Sequence, residues 1–156
     1  MIAASTVIMF LLMYLNTWEI DHIFFSQTRG WMALLMGASM AILMLSFMWS
    51  MYPDRRMNIA ILGAGVVVAA VSLWLVRSQE TVSDVAYMKA MIPHHSIAVM
   101  TSDRAHIRDA RVRKLADGIL QAQVREIAEM KQLIRDLEQN PPRSSALDLP
   151  PANAGQ

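Results

Sequence analysis

Asp84, Met88, Met91 and His95 stand at i, i+4, i+7 and i+11 in the run Asp84-Val-Ala-Tyr-Met88-Lys-Ala-Met91-Ile-Pro93-His94-His95. On a helix this spacing puts a carboxylate, two thioethers and an imidazole on one face. Ile119, Gln123, Glu126 and Met130 repeat the spacing farther along the chain. Apart from Ile119, these side chains bring polar or sulfur atoms to a stripe that should be apolar. Two helices that spend their inner faces on metal-ligand atoms point to a site between them.

The elements that must position these groups are legible from punctuation. Ser83 or Thr81 caps a first polar helix, with Asp84 in its first turn, and the pattern runs through Ile97, Ala98 and Met100 to about Arg104. Pro93 lacks an N–H and crowds the preceding turn, so a kink is expected there. Asp109 caps a second helix that starts at Ala110 and runs for about thirty residues until Pro141-Pro142 stops it. Val112, Leu115, Ala116, Ile119, Ile127, Leu133, Ile134 and Leu137 make its apolar stripe. Arg111, Arg113, Lys114, Asp117, Arg125, Glu129, Lys131 and Asp136 make its solvated face. Residues 141–156, rich in Pro, Ser, Ala and Asn, are expected to be a disordered tail.

Charge divides the chain. Of its 27 charged residues, only Glu19, Asp21, Arg29, Asp54, Arg55 and Arg56 lie in residues 1–76. Three apolar runs fill that half, Ile2 to about Trp18, Trp31 to Tyr52 and Met57 to Val76. A spanning helix needs about 20 mostly apolar residues. The second and third qualify and the first, though short, reads as a span. Arg55 and Arg56 between spans two and three are predicted to be cytoplasmic, opposite the acidic loop Glu19–Arg29. That loop, with His22 in it, and everything after Arg77 then lie outside, in the periplasm of a Gram-negative bacterium. The near-neutral balance, a formal charge of +1, gives no basic footprint for nucleic acid. With no cysteine, thiolate metal sites and disulfides are excluded.

In span two, Met32, Met36, Met40, Met44 and Met48 recur every four residues beside the small strip Ala33, Gly37 and Ala41. The ridge reads either as a ladder of soft ligands or as a packing seam filled by flexible methionine. Gly65 and Ala69 suggest a contact strip in span three.

The motif Met88-x-x-Met91-x-Pro93-His94-His95, followed by Gln123-x-x-Glu126-Ile-x-x-Met130, resembles the family called domain of unknown function 305, over about residues 83–138. That family includes CopM-like periplasmic copper-binding proteins, and the membrane half looks like a subgroup in which three spans precede one copy of the domain. The resemblance implies an all-helical, ferritin-like or four-helix arrangement and the binding of copper or silver.

Thioethers and imidazoles select soft ions. Met88, Met91, His94, His95, Glu126 and Met130 are the candidate ligands, and Asp84 and Gln123 the groups that orient them by hydrogen bonding. His22, on the same side, lies within reach of the hairpin from above. Met88, Met91 and Met130 at helical spacing also suit a core, and a Glu126–His95 or Glu126–His94 pair would satisfy both partners without an ion. His106 reads as a solvated residue of the inter-helix turn. Neither polar helix carries the Glu-x-x-His motif of a di-iron site. No phosphate loop or serine-nucleophile motif stands out, so an enzyme is not expected.

The sequence therefore predicts an all-α chain. A membrane domain (1–77) with three transmembrane helices precedes an extracytoplasmic antiparallel helical hairpin (78–140), completed as a four-helix bundle by a homodimer. The expected function is a copper-binding protein anchored in the bacterial inner membrane, for metal storage, sensing or tolerance. The alternatives are an interaction module whose His/Glu/Gln cluster only pairs helices, and an accessory subunit of a transporter.

Overall fold

Helices are the regular elements of the computed structural model, which describes residues 1–143, 146, 147 and 149, with no strand among them. In chain order these are α1 (Ile2–Leu12), a 3-10 turn at Ile20–His22, α2 (Gln27–Phe47), a 3-10 turn at Trp49–Met51, α3 (Arg55–Ser78), α4 (Asp84–Arg104) and α5 (Ala110–Gln139). The disordered tail expected beyond Pro141 falls largely outside the described residues.

Each long helix starts where a side chain takes up its free N–H groups. Ser26 accepts from Arg29 N, and Asp54 from Arg56 N and Met57 N. Ser83 accepts from Ala86 N, and Asp109 from Arg111 N and Val112 N. The expected caps at Ser83 and Asp109 are those found. Pro93 is fully buried and α4 continues through it as one helix.

Two helices are long and apolar enough to cross a membrane, α2 with 21 residues and α3 with 24. At 1.5 Å per residue they reach about 31 and 36 Å, against a hydrocarbon core of about 30 Å. The first apolar run gives a helix of only 11 residues, about 16 Å long. It ends because polar groups of loop one draw the backbone into turns. Arg29 Nη1 donates to the Met13 carbonyl at 2.7 Å, its guanidinium lies 4.6 Å from the centre of the Tyr14 ring, and the Tyr14 hydroxyl accepts from Ser26 N at 2.9 Å.

α2 is the centre of this half, packed against both α1 and α3. Ala33, Gly37 and Ala38 of the small strip are buried, while Met32 and Met36 of the methionine ridge are exposed. A Cβ on Gly37 would collide with Thr6 Oγ1 of α1, and one on Gly65 would meet Ile42 Cγ1 at 3.0 Å. The close approaches therefore rest on the glycines, and the methionines flank them.

α4 and α5 form an antiparallel hairpin. Lys89–Glu138, His95–Glu126 and the Arg113 contact with the Ser102 carbonyl fix its register. Its core is Met88, Ile92, Val99, Ile127 and Ile134, with Val85, Leu120, Met130, Leu137 and Phe24 of loop one packed against it. The single apolar stripe expected on α5 is two. Ala116, Ile127 and Ile134 face α4, whereas Val112, Leu115, Ile119 and Leu133 stay exposed. The two rows lie about 100° apart on the helix, the step of a single residue, which is why the sequence pattern merged them.

Candidate metal centre

The hairpin register decides which of the chemistry-bearing side chains meet. His95 on α4 and Glu126 on α5 face each other, with His95 Nδ1 3.3 Å from Glu126 Oε2. That separation is an ion-pair distance, but the angle does not make a hydrogen bond. Nδ1 is buried and has no hydrogen-bond partner among the described residues. Glu126 Oε2 instead accepts from Gln123 Nε2 at 3.4 Å, one helical turn away on the same face. Burial, the largest influence, holds the His95 pKa below its usual value, and the neighbouring His94 adds to this while the Glu126 carboxylate opposes it. A neutral imidazole with an unspent buried nitrogen is ligand-ready.

The sulfur ligands are distributed differently. Met88 is buried in the hairpin core and Met130 packs against it. Both also line a cavity of about 650 Å³ with Gln79, Asp84, Tyr87, Leu133 and Leu137. Met88 precedes His95 by seven residues, about 10 Å along the helix. Met91, half-buried, and Met130 lie at the level between. Asp84 stands at the mouth of the cavity, about 16 Å along α4 from His95. His94 is exposed, its ring centre 6.3 Å from that of His95. The eight candidates thus fall into a His95/Glu126/Gln123 cluster and a Met88/Met130/Asp84 cavity, with Met91 between them and His94 facing out.

A second constellation joins loop one to the outer side of α4. Ser96, next to His95, is fully buried. Its Oγ accepts from Trp18 N at 2.7 Å and lies 3.0 Å from His22 Nδ1. His22 Nε2 points between Glu19 Oε2, at 3.6 Å, and Asp21 Oδ1, at 3.7 Å. Lys131 of α5 holds the other Asp21 oxygen, Oδ2, at 2.6 Å. That bond is the main reason the Asp21 pKa lies below its usual value. Burial, then the Lys131 charge, lower the His22 pKa against the pull of both carboxylates. The expected approach of His22 to the hairpin is found, but its partners Ser96, Glu19 and Asp21 were not anticipated. One signal was available, because Glu19-x-x-His22 is the chain's Glu-x-x-His spacing, placed in the loop instead of the hairpin.

Comparison with known proteins bears on the hairpin half of the chain. An uncharacterized protein of Acanthamoeba polyphaga mimivirus is 31% identical over 71 residues, 44% of this chain and 47% of that protein. The chain spans about half the length of that relative. No solved structure matches. Residues 84–154 match the sequence model of the family described as "Domain of unknown function (DUF305)", which places the helical hairpin in that domain family.

Proposed function

We propose that this chain is a membrane-anchored, extracytoplasmic binding protein for copper or a similar soft ion such as silver, serving metal storage, sensing or tolerance. The observation that carries the reading is the buried His95 Nδ1, without a hydrogen bond and 3.3 Å from Glu126. An orphaned imidazole nitrogen beside a carboxylate is costly unless something occupies the position between them. His95 and Glu126, with Met91 and His94 one turn away, supply nitrogen, oxygen and sulfur donors suited to such an ion. Met88 and Met130 extend the thioether set toward the membrane, with Gln123 orienting Glu126 and Asp84 lining the cavity.

In this reading α2 and α3 cross the bacterial inner membrane with Arg55 and Arg56 in the cytoplasm, and α1 lies in the bilayer against α2 as a third membrane element. The exposed side chains of α3, among them Val67, Val71 and Trp74, need an apolar solvent. The hairpin then stands in the periplasm. Its exposed apolar row Val112, Leu115, Ile119 and Leu133, flanked by Tyr87, is covered by a second copy in a four-helix bundle. Glu126 shares that row, so the partner's helices would close over the His95 cluster.

Titration of the detergent-purified full chain with Cu(I) and Ag(I) tests the proposal. Stoichiometric binding is expected and should be lost in Met91→Leu/His94→Gln/His95→Gln. Unchanged binding in that variant overturns it. The Gln123–Glu126 hydrogen bond and the place of Met88 in the core favour a second reading, in which the cluster pairs helices without an ion. A melting temperature that a chelator leaves unmoved would decide for it.

A further inference from the structure

We propose that Glu19, Asp21 and His22 of loop one form a separate binding site for a divalent transition ion of intermediate softness, Zn(II) or Cu(II). Three features carry the assignment. The first is spacing. One ligand atom from each residue lies within 4.8 Å of the other two. Around His22 Nε2 the carboxylate oxygens stand at 3.6 and 3.7 Å, too far for hydrogen bonds. A tetrahedral ion holding donors at about 2.0–2.2 Å separates them by roughly 3.3–3.6 Å. The observed separations are those of ligands around an ion.

The second is orientation. The His22 side chain is 9% exposed, and its other nitrogen, Nδ1, sits 3.0 Å from Ser96 Oγ. That oxygen accepts from Trp18 N and keeps a second lone pair, so it can also accept from Nδ1–H. This tautomer leaves the Nε2 lone pair facing the two carboxylates, the arrangement by which an outer hydrogen bond fixes a ligating imidazole. Lys131 holds Asp21 by Oδ2, which leaves Oδ1 turned toward His22. The 3-10 turn at Ile20–His22 brings positions 19 and 22 to the same side, because residues three apart eclipse.

The third is donor chemistry. Two carboxylates and an imidazole, with no sulfur, suit Zn(II) or Cu(II) better than Cu(I) or Ag(I), and the imidazole disfavours Mg(II) and Ca(II). The donors carry two negative charges and Lys131 returns one, so a dication finds net attraction. Glu19 and Asp21 are exposed, which leaves the ion an entrance and an open coordination position.

The site stands whether or not the hairpin binds a soft ion. The test uses the full chain in detergent with Met91→Leu/His94→Gln/His95→Gln as background, titrated with Zn(II) alone and with Cu(II) alone. One ion should bind per chain in that background. Glu19→Gln with Asp21→Asn should weaken it at least tenfold, with circular dichroism and melting confirming an intact fold. The Cu(II) electron paramagnetic resonance spectrum should show nitrogen coupling from one imidazole, lost in His22→Gln. No binding in the background, or equal affinity after the two carboxylate substitutions, overturns the proposal. Failure of the hairpin reading would appear separately, as equal ion counts for wild type and background.

Discussion

Ser96 and His95 are neighbours on α4 that look in different directions. One ties down loop one and the other faces Glu126 of α5. Ser96→Ala would leave Trp18 N–H and His22 Nδ1 without their shared partner. Each buried group left unsatisfied costs about 1–3 kcal/mol, so a loss within that range is expected by denaturant titration, with faster amide exchange at Trp18. The facing of His95 and Glu126 was legible because an antiparallel hairpin with caps at Ser83 and Asp109 has little choice of register. The Ser96–His22 contact was not, because the two residues are separated by 74 positions and nothing in the local pattern of either points at the other.

At the scale of elements, helix ends and helix contacts behave as separate devices. Asp109 is held below its usual carboxylate pKa first by the Arg111 side chain and then by the backbone N–H groups of Arg111 and Val112. A depressed carboxylate contributes stability that is complete above its ordinary value of 3.8 and is lost as pH falls through the lower folded value. Fraying of the first turn of α5, followed by amide exchange, should therefore grow at acid pH, and Asp109→Asn should flatten that dependence. In the membrane half, Gly37→Ala gains helix propensity but collides with Thr6. Overpacking of this kind costs about 1–3 kcal/mol, and Thr6→Ala on the opposing helix should recover most of it, read from the melting of the detergent-solubilised chain. The second and third apolar runs and both hairpin helices were predicted correctly. The first was overestimated because apolar content continues past Leu12, while the helix is ended by Arg29, Tyr14 and Ser26, which only the folded loop brings together.

For the whole molecule, loop one is the join between the two halves. Trp18 and His22 on Ser96, Asp21 on Lys131 and Phe24 against the hairpin core bind the polar hairpin to the apolar helices. The Arg104 guanidinium adds to this, 5.3 Å from the centre of a Trp18 ring. The outer face of the hairpin is still open. If a second copy covers it, wild type sediments in detergent as a dimer, and Leu115→Lys/Ile119→Lys, at positions 64% and 40% exposed, gives folded monomers. A wild type that is monomeric across the accessible concentration range would remove the bundle from the proposal.

By itself the sequence determined the helices, their caps, the division into an apolar and a polar half, and the side chains with metal-binding chemistry, because capping, hydropathy and the 3.6-residue period are local properties of a chain. Only the tertiary structure decided how those side chains are distributed. It set His95 against Glu126, drew Met88 into a core, split the α5 stripe into a covered and an open row, and carried His22 from a loop onto Ser96. Those outcomes depend on register and on how a loop folds back, which are fixed by contacts between residues far apart in the chain.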